Sequence, residues 1–373
     1  MKGRRAVLVG LMIVVCLASA PVQFAAPAVG IPERLSNQEF WRLSTGFSEP
    51  SGFFNSDNLV SNEDTFQHVI PELTRMVAPG GVYVGVGPDQ NFTYIAALDP
   101  AVAFIPDVRR GNLQVHLMYK ALFALSADRK DFLARLFGRP VPPGLSMAAS
   151  ARDLMVAFSA SAPDQNLREA NLRAVLDYLA RHRGTPLDDE DRSGVAFVMD
   201  SFFAGGPELS FVSNGGFRRS PYPSYAALQA ATDLEGAERS YLSTEARFHR
   251  VKSLQERNLL IPVVGNFAGP LALASIGSWV REQGGVVTAF YTSNVEQYLF
   301  QDGRWDHFRR SVASMPLDTS STFIRSCFNT CSSPGGSRAV TLLDSVPGLL
   351  QAASNGRVVG YWDILMHSRV PGD

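Results

Sequence analysis

A short apolar run ends in two glycines, and one helix and one strand later comes an acidic residue. Nothing else in the chain narrows the available folds as much. The run is Gly81–Gly87, the second strand is Ala101–Asp107, and the interval between them has helical composition. The order is therefore strand, glycine turn, helix, strand. Gly85 and Gly87 lack a Cβ, so the backbone can turn sharply there and a ligand can approach closely. Asp107 follows Gly85 by 22 positions, near the interval of about 20 residues at which nucleotide folds present a carboxylate to ribose hydroxyls. A lone G-x-G marks any tight turn after a strand. The second strand and Asp107 make it a candidate site.

Periodicity extends the pattern. Leu113, Leu117, Met118, Ala121, Leu122 and Leu125 fall on one helical face, with Asn112 placed to cap that helix. Leu259–Asn266 reads as a later strand, and Pro262 within it suits an edge or a strand start better than a central position. A helix over Leu271–Gln283 leads to a strand over Val286–Tyr291, and Ser321–Ser326 and Arg338–Leu343 form a final strand pair. Alternating strands and helices predict an open, mostly parallel α/β sheet. The interval Pro140–Arg257 reads as a helical insertion or cap over the sheet, within a single domain spanning 29–373. It holds a strong helix at Leu167–His182, a charged turn at Leu187–Arg192, and glycine turns at Phe202–Gly206 and Ser213–Phe217.

The first 28 residues have the form of a secretory signal. Lys2, Arg4 and Arg5 precede an apolar run from Ala6 to Leu17, and Ala18-Ser19-Ala20 is a small-residue cleavage pattern. Pro21 disfavours that cut, so Ala26-Pro27-Ala28 competes with it, and an uncleaved anchor is the remaining alternative. Val15 is too large for a lipoprotein motif at Cys16. Each outcome places the folded part outside the cytoplasm, periplasmic or extracellular, with no stable membrane span after cleavage. Losing the three leader cations moves the formal charge from −1 to −4, which points away from nucleic acid as a partner. With 46% hydrophobic and 18% charged residues, the chain has material for a large core. Cys327 and Cys331 remain after export, and in an oxidising compartment their simplest state is a short-loop disulfide.

Several chemistries lack their signatures. There is no G-x-S-x-G nucleophile elbow, no H-E-x-x-H zinc motif and no G-x-x-x-x-G-K phosphate loop. The six histidines are scattered, and His116 on the amphipathic helix faces either solvent or the pocket. What remains are polar residues at strand ends: Asp89, Gln90 and Asn91 after the glycine turn, Asp107 with Arg109 and Arg110, Asn266, and Ser293-Asn294 with Glu296. In an open parallel sheet such ends converge on one crevice. Asp89, Asn91, Ser293 and Asn294 are also good helix caps, so capping is the competing role for each.

The run Gly85-Val86-Gly87-Pro88-Asp89-Gln90-Asn91-Phe92, with Asp107-Val108-Arg109-Arg110 and Leu117–Arg129, resembles an uncharacterised bacterial family of exported proteins with an S-adenosylmethionine-methyltransferase-like Rossmann fold. Pro262–Pro270, Phe290–Leu299 and the Phe47–Glu63 region are similar to the same family, and the likeness runs from about Leu35 to Asp363. It implies that Gly85 and Gly87 face the amino-acid part of S-adenosylmethionine, with Asp107 on its ribose and Asn266 at another strand end. The strand-end residues Asp89, Asn91, Arg109, Ser293 and Asn294 are the further candidates for cofactor contacts. Two features depart from the pattern. Val84 stands where an acidic residue ordinarily precedes the glycines, and export removes the protein from the cytosolic cofactor pool. Two classes stay open: a methyltransferase without an evident general base, or an extracytoplasmic module that keeps the crevice for a small-molecule ligand.

Overall fold

The structure is a computed structural model describing residues 30–184, 187–211, 222–328, 331 and 337–371. The signal segment, the Ser213–Phe217 turn and most of the Ser333–Ser337 loop lie outside these residues. Helices α1 (Asn37–Gly46) and α2 (Ile70–Met76) precede β1 (Val82–Gly85), followed by α3 (Gln90–Leu98) and β2 (Val102–Asp107). A helical series then runs α4 (Arg110–Leu125), α5 (Arg129–Phe137), α6 (Ala151–Ala160), α7 (Gln165–Arg183), α8 (Asp189–Gly205), α9 (Tyr225–Gln229) and α10 (Glu245–Glu256). The chain returns to the sheet as β3 (Leu260–Val264), α11 (Ala272–Glu282) and β4 (Val287–Ser293). It ends with α12 (Val295–Gln301), α13 (Trp305–Ala313), β5 (Thr322–Phe328), β6 (Ala339–Ser345), α14 (Val346–Ser354) and α15 (Tyr361–His367). No described helix is long and apolar enough to cross a membrane.

The six strands form one open sheet in the order β3-β2-β1-β4-β5-β6. Five are parallel, and β6 runs antiparallel to β5. The mostly parallel α/β sheet expected from the alternation is therefore present. Pro262 lies in β3, which pairs only with β2, so its missing N–H falls on an edge strand.

Side-chain alternation explains why both faces are covered. Phe104, Val84, Phe290 and Phe323 stand in register across β2, β1, β4 and β5. Trp279 of α11 packs on Phe104, and Phe308 of α13 packs on Phe290 and Phe323. Tyr83 and Tyr291 instead meet Tyr94 of α3. All of these rings except Trp279 are at most 3% exposed, and each such burial contributes roughly 1.5–3 kcal/mol. Strands buried on both faces read as continuous apolar runs, as the sequence does here.

The interval Pro140–Arg257 holds α6 to α10, and α8 packs against α4. Three local expectations change, one of them the glycine turn at Phe202–Gly206: Phe202–Gly205 form the last turn of α8 and the chain turns only at Gly206. The acidic stretch after Leu187 starts a helix: Asp188 accepts the Asp191 N–H, and Asp189, Glu190 and Asp191 occupy a first turn whose dipole favours anions. Asn112 does not cap α4. Arg109 holds the cap position without a side-chain bond, and Asn112 lies inside the helix with its amide buried and unpartnered.

Candidate functional site

The strand order reverses between β1 and β4, and open α/β sheets form a ligand crevice at such a point, outside the carboxyl ends of the strands. Here one segment runs along that edge, meeting the strands in their spatial order. The Glu49 N–H donates to Val264 at the end of β3 (2.8 Å) and the Gly52 N–H to Val108 just past β2 (2.8 Å). Asn58 Nδ2 lies 3.8 Å from where a Cβ on Gly87 would stand. Glu63 meets β4 and β5, and Thr65 Oγ1 donates to the Ala339 carbonyl at the start of β6 (3.0 Å).

The two glycines do different work. A Cβ on Gly85 would stand 2.1 Å from Asn91 Oδ1 and 2.6 Å from the Tyr83 hydroxyl, so the protein's own interior requires that glycine. Gly87 has φ 81°, where L side chains are strained, and only Asn58 nearby. Asn91 holds the turn together. Its amide donates to the carbonyls of Val86 (2.9 Å), Gly87 (3.2 Å) and Pro88 (2.8 Å), and its oxygen accepts the Tyr83 hydroxyl (2.8 Å).

Asp89 occupies the cap position of α3 without making a capping bond. It turns into the helical layer, where Oδ2 accepts from Gln229 Nε2 (2.9 Å) and the Tyr241 hydroxyl (3.3 Å). Burial raises its pKa to about 7, against the pull of those hydrogen bonds. His116, which the sequence placed toward solvent or the pocket, is sealed in the core with Nε2 2.9 Å from the Gly87 carbonyl. That carbonyl can only accept, so Nε2 carries the proton and Nδ1 is left as an unpartnered acceptor. Burial lowers the imidazole pKa to about 4.

At the end of β2, Arg109 closes back on Asp107. Nε and the backbone N–H donate to Oδ1 (3.1 and 2.9 Å), and Nη2 donates to Oδ2 (3.0 Å). Its remaining terminal nitrogen donates to the carbonyls of Ser56 and Asp57. One guanidinium thus joins the strand-end carboxylate to the crossing segment. Beside it opens a cleft of about 190 Å³, lined by Phe53, Phe54, Arg109, Gly111, Gln114 and Phe197 among others.

Asn266 Oδ1 accepts the Ala268 N–H of its own loop (2.8 Å), and its backbone N–H donates to Glu49 (3.3 Å). Glu49 caps α11 from outside, accepting from Leu271 and Ala272 (2.9 and 3.0 Å). Ser293, at φ 52°, donates to Glu63, while Asn294 makes only long contacts and no capping bond for α12. Of the expected site residues, the structure therefore brings Arg109 to the cleft wall, with Asp107 buried behind it in the same ion pair. It places Ser293 and Asn294 across the reversal point, keeps Asn266 at the β3 edge, and turns Asp89 and Asn91 inward.

Sequence reasoning passed over Glu63. This carboxylate is 1% exposed and accepts from Tyr291 (2.6 Å), Gln90 (2.8 Å), Ser293 and Ser326. Its four donors come from α3, β4 and β5, and no local spacing marks a group assembled that way. Among the described residues, no three His, Cys, Asp or Glu side chains converge to hold a metal ion.

The family model described as Domain of unknown function (DUF7790) matches residues 58–139 and 217–339. The chain belongs to the DUF7790 family. Those two DUF7790 segments include β1 to β5, the glycine turn, Asp107, Arg109 and Asn266, and they are separated by 140–216. No curated protein matches the chain.

Proposed function

We propose that this DUF7790 member is an exported, methyltransferase-like protein. It binds a nucleoside-type ligand at the carboxyl edge, with S-adenosylmethionine the first candidate, and it acts as a binding module and not as a transferase. The observation that carries the reading is Asp107 at the end of β2 beside the Gly87 turn, on a sheet whose strand order is that of two-halved, Rossmann-like nucleotide folds. Phe197 and Val198 of α8 supply apolar surface for a base, and the cleft is lined by Arg109, whose charge Asp107 balances. A transferase would need an acceptor and a group to position it, yet Asp89 and His116 are both sealed from the crevice. Export rests on the leader and on the Cys327–Cys331 disulfide, which fits an oxidising compartment. N-terminal sequencing of native protein should give a first residue between Pro21 and Gly30, and a start at Met1 in a cytosolic fraction would remove this part.

Calorimetric titration of the full chain with S-adenosylmethionine, S-adenosylhomocysteine and adenosine tests the ligand. Asp107→Ala removes a charged acceptor worth on the order of 1.5–3 kcal/mol, so binding should weaken by roughly ten- to a hundredfold. A wild type silent toward all three compounds overturns the reading. Equal affinity in wild type and Asp107→Ala moves the ribose elsewhere. Gly85→Val is no clean probe, because the added carbons would meet Asn91 and Tyr83 before any ligand.

A further inference from the structure

The segment over the crevice is pinned at both ends and loose between them. Glu49 is held by the β3–α11 loop, and Leu59, Val60 and Glu63 are buried. From Pro50 to Asn58 no residue is buried, and Phe53 is 88% exposed. Among the described residues, the ties of this middle part are mostly polar. They include Gly52 to Val108, Ser51 Oγ to the Arg110 N–H (3.1 Å), Ser56 Oγ to the Phe211 carbonyl (3.2 Å) and the two carbonyls held by Arg109. Phe54 sits edge-on against Tyr298 and under the Arg109 guanidinium, 5.8 Å from the ring centre. Closure buries little apolar surface, which is the signature of a segment with a low local opening energy.

We propose that residues 50–58 are a hinged strap, latched by Arg109, that opens when a ligand takes Asp107 from the guanidinium. The proposal rests on the nucleoside reading of the crevice and adds how the ligand enters. In the closed form both Asp107 oxygens are engaged by Arg109, and the same side chain carries the Ser56 and Asp57 carbonyls. A ligand hydroxyl pair donating to Asp107 replaces Nε and Nη2. It thereby frees the side chain that holds the strap, so occupancy and opening become one event. Lysine cannot do this, because a single ammonium does not span a carboxylate and two carbonyls in fixed directions.

The geometry offers a lock. A Cβ built on Gly52 lies 3.8 Å from the Val108 Cβ, and disulfides place these atoms about 3.8 Å apart. The full chain carrying Gly52→Cys and Val108→Cys should oxidise with the strap closed. Adenosine affinity should then fall at least tenfold and return on reduction, with wild type in the same reductant as control for the native disulfide. Arg109→Ala and Arg109→Lys should raise amide exchange across 50–58 at least tenfold while leaving 102–107 unchanged. Equal affinity in the oxidised and reduced forms, failure of the pair to oxidise, or unchanged exchange in Arg109→Ala would each overturn the strap. If wild type binds none of the nucleosides, the ligand reading fails, and exchange in Arg109→Ala still decides the latch.

Discussion

Two carboxylates at opposite ends of the sheet each close on an arginine, and the protein uses the two pairs differently. Asp107 and Arg109 are two residues apart, so their bond closes a local turn at the end of β2 and ties the rest of the fold only through strap carbonyls. Arg325 of β5 reaches Asp344 of β6 (2.6 Å), Glu296 of α12 and Ser368 just past α15 (3.2 Å). All three charged side chains of that network are 1–2% exposed. The chemistry is shared and the reach differs. A short-range pair beside a cleft can be traded for a ligand, whereas a pair that spans four elements cannot be released without loosening their packing.

The sharpest way to break this comparison is to remove each arginine. Arg325→Met leaves Glu296 buried without its guanidinium and Asp344 with His367 as its remaining neighbour (2.7 Å), and removing one partner of a buried pair costs about 3–5 kcal/mol. Arg109→Ala should cost on the order of 1–2 kcal/mol, because Asp107 keeps the backbone N–H of residue 109 and lies beside an open cleft. Urea unfolding of the two variants against wild type measures both. Equal losses would mean that Arg109 is as structural as Arg325, and the contrast would go with them.

The legible parts of this molecule were those that depend on neighbours in sequence. The run ending in Gly85, the strand closing at Asp107 and the edge proline at Pro262 follow from local pattern, and they lie in strands β1, β2 and β3. The reach of Cys331 back to Cys327 was equally local. What stayed hidden was assembled from afar. Glu63 gathers donors 27, 228, 230 and 263 positions away. The crossing of residues 49–65 is a fact about strand order, which an irregular Ser/Asn/Gly segment does not encode in any periodicity. Asn112 misled for a related reason: a good cap residue is a cap only if the chain turns there, and α4 begins three residues earlier, at its cap position Arg109.

Asp89 sharpens the comparison with a third case, a buried carboxylate that receives no arginine. It is 1% exposed and accepts from Gln229 and Tyr241, and burial holds its pKa near 7 against an ordinary value of 3.8. The folded protein therefore keeps a proton there that the unfolded chain releases from about pH 4 upward. With the folded pKa raised, the associated stability is fully present below about pH 4 and is lost as pH rises through about 7. The slope from one such proton is at most about 1.4 kcal/mol per pH unit. Asp89→Asn keeps the shape and removes the titration. Other titrating groups are common to both chains, so the stability difference between variant and wild type isolates this one. That difference should move in favour of Asp89→Asn between pH 4.5 and pH 7.5 in urea unfolding. A difference that stays constant across the interval would mean that Asp89 ionises alike in the folded and unfolded chains. Its lack of an arginine would then have no energetic consequence.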